Sequence, residues 1–237
     1  GHVSSICNVI DSTIARFAGN GAYLYAGPEY SVASTKAFTN MSAVLMLLAL
    51  TLSETDNVER ARVIRGLREM PQRMSNYLHS EIDFESIVDL LADSKTALFI
   101  GRGPNSHIAS EAALKMMEIA YLPCIAYPGG ELKHGPIALI EEGTPVIAIA
   151  PDDSHYPKME ANIRECASRG ANVILVTNRE TSVEDYCARV IRTPPTDPFL
   201  SPFMSIMPLH LLAYHLAVRL GRNVDRPRNL AKSVTVV

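Results

Sequence analysis

The chain has 237 residues, which is enough for one large domain or two small ones. It carries 22 lysines and arginines and 25 aspartates and glutamates, so its formal charge is −3. A chain without net positive charge is a poor candidate for a nucleic-acid-binding protein. Hydrophobic residues make up 47% of the sequence, which is ordinary for a globular protein and too high for a disordered one.

The sequence predicts neither a membrane protein nor a metal protein. Its longest apolar stretch, residues 41–52, is shorter than the ~20 residues that a membrane-spanning helix needs. The cysteines form no C-x-x-C pair, and His and Cys do not have the spacing of metal ligands. We therefore expect reduced thiols in a cytoplasmic protein, with no metal. The four cysteines are Cys7, Cys124, Cys166 and Cys187.

The start of the chain predicts two short strands, over residues 3–9 and 22–26, and then a helix over residues 34–52. Ser34 or Thr35 can cap this helix, and Ala, Leu and Met fill its interior. Because the helix is apolar nearly all round, we expect it to be buried or to lie in an interface. A strand at the start leaves an open sheet edge, so we expect a fragment that lacks the first part of its first domain.

The second half of the chain predicts an α/β fold. Short apolar strands alternate with helices there, which is typical of a doubly wound parallel sheet covered on both faces. We divide the chain into the C-terminal part of a first domain (1–56), a helical connector (57–92), a second domain (93–220) and a tail (221–237). The predicted strands of the second domain are residues 97–100, 145–150, 172–177 and 189–192, and its helices are residues 109–121, 156–169 and 203–220.

Ligands of such sheets bind beyond the C-terminal ends of the strands, where the loop 101–106 (GRGPNS) follows a predicted strand. Its glycines and the N–H groups of the next helix could hold an anion, but a tight turn explains the same residues. Ser106 stands where a dinucleotide-binding loop has its third glycine. We therefore expect no nicotinamide or flavin cofactor.

Glu111, Lys115 and Glu118 have the spacing i, i+4 and i+7, which places them on one face of a helix. A solvated ladder of salt bridges is one interpretation of this spacing. The residues between them are apolar, however, and the charges of a buried helix must be paired or line a cavity. The other interpretation is a carboxylate base held beside a lysine.

Two further segments contain residues that could do chemistry. The loop 128–136 (PGGELKHGP) holds His134, and histidine is the commonest proton carrier near neutral pH. An inert surface loop is the alternative. The tail holds Lys232, and a lysine shielded from water can attack a sugar carbonyl to form a Schiff base. A frayed terminus is the alternative there.

Four segments, in this order, closely resemble the sugar isomerase (SIS) half of the glucosamine-6-phosphate synthase family: GPEYSVASTKAF, ALKMMEIAY, GGELKHGPIALI and PRNLAKSVTV. The resemblance covers the chain from Val3 to Val237. It implies a pair of SIS domains, each a flavodoxin-like parallel sheet flanked by helices, with the first domain incomplete here. It implies the conversion of fructose 6-phosphate and ammonia to glucosamine 6-phosphate without a cofactor, in a homodimer whose site lies at the subunit interface.

The resemblance also implies roles for individual residues. Lys232 matches the lysine that forms a Schiff base with the sugar, and Glu118 matches the carboxylate that moves a proton between C1 and C2. His134 matches a histidine that assists ring opening and comes from the neighbouring subunit, and Lys115 matches a lysine beside the carboxylate. Val32, Ser34 and Ala231 match positions that line the sugar, and Glu111 and Arg228 match further site positions.

Two parts of the family have no counterpart in this sequence. These are the segments that hold the sugar phosphate and the glutaminase domain that releases ammonia from glutamine, so we expect the chain alone to bind substrate weakly. Two other functions stay open. One is a glucosamine-6-phosphate deaminase of the SIS type, which the tail PRNLAKSVTV disfavours. The other is a regulatory module that only senses sugar phosphates, which the combination of Glu118, His134 and Lys232 disfavours.

Overall fold

The structure, a computed structural model, describes residues 2–232. Its first part contains a small parallel sheet of two strands, β1 (Ser5–Cys7) and β2 (Gly21–Tyr23), connected by helix α1 (Thr13–Ala18). Parallel strands need a crossover connection, and α1 supplies it. Both strands that the sequence predicts in this part of the chain are confirmed, each with three residues.

Helix α2 (Lys36–Leu52) lies where the sequence predicts a long apolar helix. The prediction that it is buried within the chain is wrong, because none of its residues is buried and Leu45 and Leu48 are 49% and 45% exposed. Only one side of the helix, which includes Met46 and Leu50, packs against other apolar residues of the chain. The alternative that α2 lies in an interface stays a prediction.

The predicted helical connector consists of two helices, α3 (Asn57–Leu78) and α4 (Glu85–Ala92). Asp56 caps α3, since its carboxylate accepts hydrogen bonds from two N–H groups of the first turn. The side chains that α3 buries recur at intervals of seven residues, which places them on one face of the helix. They are Val63, Met70 and Tyr77, and they pack against Leu200, Phe203, Met204 and Met207.

The main sheet has five parallel strands in the order β4-β3-β5-β6-β7. The central strands are buried along their whole length, which is why they appear in the sequence as continuous apolar runs. Strand β4, at one edge of the sheet, was not predicted from the sequence. The strands are β3 (Ala97–Gly101), β4 (Cys124–Pro128), β5 (Pro145–Ile149), β6 (Asn172–Thr177) and β7 (Arg189–Arg192).

Helices cover both faces of this sheet, because successive side chains of a strand point to opposite faces. In β3, Phe99 packs into the apolar cluster on one face, and Leu98 and Ile100 pack into the cluster on the other. The predicted doubly wound α/β sheet is therefore confirmed. Helices α5 (Pro104–Lys115) and α7 (Ser201–Arg219) lie on the face of Phe99, and α6 (Tyr156–Ala167) lies on the opposite face.

One segment of the described chain, Pro198–Arg219, is long and apolar enough to cross a membrane by length and composition. It consists of α7 and the short 3-10 turn before it. Two thirds of its most apolar window, 67%, is buried inside the protein. Burial of this kind is typical of a helix that is apolar because it lies in the core.

The end of β3 brings α5 close to the sheet. A Cβ atom on Gly101 would lie 2.2 Å from the carbonyl oxygen of Asn105, so glycine permits an approach that a side chain would block. After α5 the helix widens into a π-helical turn, Met116–Ala120, and Tyr121 ends it with a φ of 61°. Such turns are rare in proteins and frequently lie at functional sites.

After α7 the chain returns to its first part and contains no further helix or strand up to Lys232. The N–H of Val32 donates to the carbonyl oxygen of Asp225 at 3.2 Å. The hydroxyl of Ser31 donates to the carbonyl oxygen of Val224 at 2.9 Å. The last five residues of the predicted tail lie outside the described residues, and the division of the chain into domains stays a prediction.

Candidate active site

Lys115 is a buried lysine that lies between two carboxylates. Its side chain is 4% exposed, and its Nζ lies 2.6 Å from Glu118 Oε2 and 3.4 Å from Glu111 Oε1. Lys115 is the last residue of α5, and Glu118 lies in the π-helical turn. The three side chains meet on one face of the helix, as their spacing predicts; Lys115 is buried, and both carboxylates are partly buried.

The two carboxylates share one amine, so the cluster has a net charge of −1 when all three groups are ionised. Burial raises the pKa of Glu111; the positive charge of Lys115 opposes this shift, and the negative charge of Glu118 adds to it. The side chain of Glu118 is 22% exposed and that of Glu111 is 13% exposed. Glu118 is therefore the carboxylate with more access to a ligand, and Lys115 holds its position.

His210 on α7 lies behind this cluster, and the sequence analysis missed it. Its Nε2 is 4.0 Å from Glu111 Oε1 and is buried without a hydrogen-bond partner among the described residues. Burial, and then the charge of Lys115, lowers the pKa of His210 to about 4, so the ring is neutral at pH 7. The ring adds no charge to the cluster. The apolar run around it in the sequence, MPLHLLA, indicates only a core helix.

A second group of candidate residues meets where the tail crosses the segment before α2. The Nζ of Lys232 donates hydrogen bonds to Glu29 Oε2 at 2.9 Å and to the carbonyl oxygens of Ser31 at 3.0 Å and Val32 at 3.4 Å. Lys232 is the last described residue, and it is half-exposed. The structure thus brings together Lys232, Val32 and Ser34, because Ser34 contacts the same carboxylate from the other side.

Glu29, which the sequence analysis did not single out, joins these residues. Its Oε1 accepts hydrogen bonds from the hydroxyl of Ser34 at 3.1 Å and from the N–H of Ala37 at 3.3 Å. Partial burial would raise the pKa of Glu29, but the hydrogen bonds from Lys232, Ser34 and Ala37 together hold the pKa below its ordinary value of 4.5. Glu29 is therefore ionised at neutral pH and forms an ion pair with Lys232.

Tyr121 connects the tail to the helix that carries Glu118. The guanidinium groups of Arg228 and Arg222 lie 4.5 Å and 5.3 Å from the centre of its ring, at distances typical of cation–π contacts. Its hydroxyl accepts a hydrogen bond of 2.7 Å from the N–H of Arg228. The tail is therefore held three residues beyond Glu118, and its end reaches Glu29 through Lys232.

The structure does not bring His134 to these residues. His134 is exposed in the 3-10 turn of the β4–β5 connection, and within residues 2–232 no hydrogen bond or ion pair joins its ring to another candidate residue. Its role stays a prediction. Ala231 adjoins Lys232 in the tail and is exposed.

The loop after β3 forms a separate polar cluster. Arg102 donates to the side-chain oxygen of Asn162 at 3.0 Å, and Asn105 donates to Asp153 at 3.4 Å. These contacts are made within the second part of the chain and involve none of the other candidate residues. In the part of the chain that the structure describes, no group of three or more His, Cys, Asp and Glu side chains has the arrangement of a metal site.

The sequence matches the model of the SIS domain over residues 90–220, which is more than half of the chain. The chain therefore belongs to the SIS domain family. The match covers the whole five-stranded sheet and its helices, as well as the cluster of Glu111, Lys115 and Glu118.

Comparisons with known proteins agree with this assignment. The chain is 44% identical over 238 residues to the glutamine–fructose-6-phosphate aminotransferase (isomerizing) of Chlorobaculum tepidum, which matches 99% of this chain and 39% of that protein. It is similar to the solved C-terminal domain of glucosamine-fructose-6-phosphate aminotransferase from Francisella tularensis, with a TM-score of 0.87 and 32% identity over 94% of this chain and 65% of that chain. The chain spans about two fifths of the length of the curated relatives that it matches.

A third similarity concerns the fold alone. The glucosamine-6-phosphate deaminase from Thermotoga maritima has a TM-score of 0.72 to this structure, with 22% identity, over 98% of this chain and 66% of that chain. The predicted fold class, parallel sheets of the SIS type flanked by helices, is therefore confirmed by solved structures.

The buried cluster predicts a strong effect of removing its amine. Replacing Lys115 with methionine (Lys115→Met) leaves two partly buried carboxylates without a cation, and we expect the protein to lose about 2–3 kcal/mol of stability, less than the ~3–5 kcal/mol of a fully buried pair. Without the amine, burial still raises the pKa of Glu111, so the folded protein binds a proton there more readily than the unfolded chain. The loss is therefore largest above the raised pKa of Glu111 and shrinks as the pH falls through that pKa toward the ordinary value of 4.5, as chemical denaturation of the full-length protein would measure.

Lys133 provides the matched control, because it also forms a 2.6 Å ion pair, with Glu165, but its side chain is 64% exposed. We expect Lys133→Met to cost about 1 kcal/mol or less. Equal losses for the two variants, or a Lys115→Met loss that does not depend on pH, would contradict the assignment of a buried charge cluster.

The contacts of Tyr121 with Arg222 and Arg228 predict that this side chain holds the tail in place. Tyr121→Ala removes two cation–π contacts and one hydrogen bond, together about 1.4 kcal/mol or more, so we expect tryptic cleavage after Arg222 and Arg228 to become about tenfold faster. Tyr121→Phe keeps the ring and should give an intermediate rate. Tyr186→Ala is the control, because Tyr186 makes a cation–π contact with Arg164 away from the tail. An unchanged cleavage rate in Tyr121→Ala would show that the tail is held elsewhere.

Proposed function

We propose that this chain is the isomerase part of a glutamine–fructose-6-phosphate aminotransferase, which converts fructose 6-phosphate and ammonia to glucosamine 6-phosphate. The observation that carries the proposal is the position of Lys232. Its amine lies against the backbone of Ser31 and Val32 and shares the carboxylate of Glu29 with Ser34. A lysine amine that is held in one position can bond to a carbonyl carbon once it has lost its proton.

The proposed reaction begins with the open-chain keto sugar. After the Lys232 ammonium group loses one proton, its neutral amine adds to the C2 carbonyl carbon. The carbonyl oxygen then leaves as water with the two remaining amine protons, which gives a Schiff base. Ammonia then replaces the lysine nitrogen at C2 and releases Lys232 unchanged. The Glu118 carboxylate takes a proton from C1 and returns it to C2, while the imine nitrogen gains a proton and the C1 hydroxyl group loses one, so that C1 becomes the aldehyde carbon and C2 carries the amino group. No step in this sequence requires electrons from outside.

The buried cluster suits the proton transfer at C1 and C2. A carboxylate acts as a base where it is held in position and shielded from water, and the 2.6 Å ion pair with Lys115 holds Glu118. Glu111 binds the other side of the same amine. We assign Lys115 and Glu111 to this supporting role.

The sugar would lie between the two groups of residues. Val32, Ser34 and Ala231 are proposed to line it, and Arg228, whose N–H is fixed by Tyr121, holds the tail over it. His134 is proposed to assist ring opening from the neighbouring subunit of a homodimer. The half-exposed apolar side chains of α2 support such an interface. We further infer a cytoplasmic protein and ammonia supplied by a glutaminase domain.

The alternatives are less well supported. The aminotransferase from Chlorobaculum tepidum shares 44% identity with nearly the whole chain, whereas the Thermotoga maritima deaminase shares 22% identity. A module that only senses sugar phosphates needs neither a buried base nor an amine placed for attack.

Lys232→Ala tests the Schiff base directly. In the full-length protein, fructose 6-phosphate and sodium borohydride should label the wild type on the peptide that contains residue 232, and the variant should show no label. Lys158→Ala is the control, because Lys158 is exposed on α6 and has no ion-pair partner among the described residues. Labelling of the same peptide in Lys232→Ala would contradict the proposal.

Glu118→Gln tests the proton transfer. A catalytic base acts mainly on the transition state, so exchange of the C1 and C2 protons with solvent deuterium should stop, while sugar affinity changes by less than about tenfold. Exchange can be followed by NMR, and Glu141→Gln, at an exposed site on the β4–β5 connection, is the control. Loss of binding together with exchange would assign Glu118 a structural role instead.

A further inference from the structure

The last described part of the tail stays in one position only where contacts offset its conformational entropy. Fixing the backbone of each residue costs about 1–2 kcal/mol of conformational entropy. Between Arg228, which Tyr121 binds, and Lys232 lie three residues that are exposed. Among the described residues beyond Arg228, it is Lys232 that forms hydrogen bonds with another segment of the chain.

Glu29 is the charged partner of Lys232, and its own position is fixed independently. Its side chain is 13% exposed. One carboxylate oxygen is bound by Ser34 and by the N–H of Ala37 in the first turn of α2, and the N-terminus of a helix favours a negative charge. The other oxygen is left to face Lys232. The carboxylate is thus oriented by α2 whether or not the tail is present.

The remaining partners of the amine are backbone groups that carry no charge. The carbonyl oxygens of Ser31 and Val32 accept hydrogen bonds from Lys232 but cannot select an ammonium group over another donor. Among the described residues, the carboxylate that pairs with this amine is that of Glu29. The side chain of Glu29 therefore supplies both the negative charge that attracts the Lys232 amine and the direction in which that amine points.

We propose that Glu29 is a positioning residue for Lys232: its carboxylate seats the amine on the Ser31–Val32 backbone, at the place where the sugar carbonyl arrives. This inference rests on the proposed function, since it concerns the amine that forms the Schiff base. Glu29 itself does not touch the reacting carbon. Its loss should therefore slow the formation of the adduct without a matching loss of sugar affinity.

The test uses Glu29→Gln in the full-length protein. The amide oxygen of glutamine can still accept the hydrogen bonds of Ser34 and Ala37, so α2 keeps its cap, whereas the charge and the hydrogen-bond acceptor that face Lys232 are both lost. With fructose 6-phosphate and borohydride, we expect the limiting rate of adduct formation at Lys232 to fall at least about tenfold. The half-saturating sugar concentration should stay within about threefold of the wild-type value. Glu54→Gln, at an exposed position beyond the end of α2, is the matched control.

A second variant separates positioning from a folding defect. Glu29→Asp keeps the charge but shortens the side chain by one methylene group, and we expect it to recover part of the rate that Glu29→Gln loses. Equal adduct rates in the wild type and Glu29→Gln would overturn the proposal. So would a fall in rate that Glu54→Gln reproduces, or one that Glu29→Asp does not relieve.

A measurement without sugar makes the result independent of the proposed function. Acetic anhydride labels free amines, and mass spectrometry gives the labelling rate of Lys232 relative to that of Lys158 in the same molecule. We expect this ratio to rise at least about threefold in Glu29→Gln, because the amine is no longer held by an ion pair. If the wild-type protein forms no sugar adduct but this ratio rises in Glu29→Gln, the proposed function is refuted. The proposal that Glu29 holds Lys232 is then still supported. An unchanged ratio would refute that proposal.

Discussion

The ion pair between Glu29 and Lys232 joins positions that are 203 residues apart. One partner stands just before α2, in the first part of the chain, and the other is the last described residue of the tail. The contact depends on the whole path between them, which includes the five-stranded sheet, the core helix α7 and the return of the tail past Tyr121. A change in the packing of α7 or of the π-helical turn would therefore reach Lys232, although neither element touches it. The position of this amine is a property of the complete fold.

The buried cluster around Lys115 imposes a second constraint. Removing charges from water costs several kcal/mol for each ion, and ion pairs in a protein interior often return no more than this cost. Apolar side chains of the same size would stabilise the helix at least as well. The presence of two carboxylates and an amine at this position is therefore better explained by chemistry than by stability, since titratable groups with a shifted pKa, such as Glu111, concentrate at functional sites. A neutral His210 behind the cluster keeps its net charge negative.

Local patterns in the sequence predict the central part of the fold. The strands β3, β5 and β6 are short apolar runs because they are buried along nearly their whole length. These strands and the edge strand β7 were each predicted within a residue or so. The edge strand β4 was missed, because only its first residue is fully buried and prolines flank it. Helix α2 has the composition of a core helix, but what surrounds a helix cannot be read from its composition. The half-exposed leucines of α2 could therefore not be predicted from the sequence.

The candidate site also contains residues that the sequence predicts and residues that it does not. The meeting of Glu111, Lys115 and Glu118 follows from helical spacing and was predicted from it. The seat of Lys232 depends on contacts between distant segments, which no local pattern encodes, so Glu29 was missed although it stands inside a segment that the sequence analysis quoted. His210 was missed for a different reason. A histidine inside an apolar run is indistinguishable in sequence from any other core residue until the packing of α7 against α5 is known.

The π-helical turn at Met116–Ala120 makes the length of this helix matter more than its composition. An α-helix advances about 100° per residue, so the deletion of one residue that restored ordinary α-helical winding would rotate everything beyond it by about that angle. Glu118 would leave Lys115, and Tyr121 would no longer lie under Arg228. Substitutions in this stretch can be compensated by repacking, but an insertion or deletion cannot. Related sequences that share this chemistry should therefore vary in residue type along the helix while keeping its residue count unchanged.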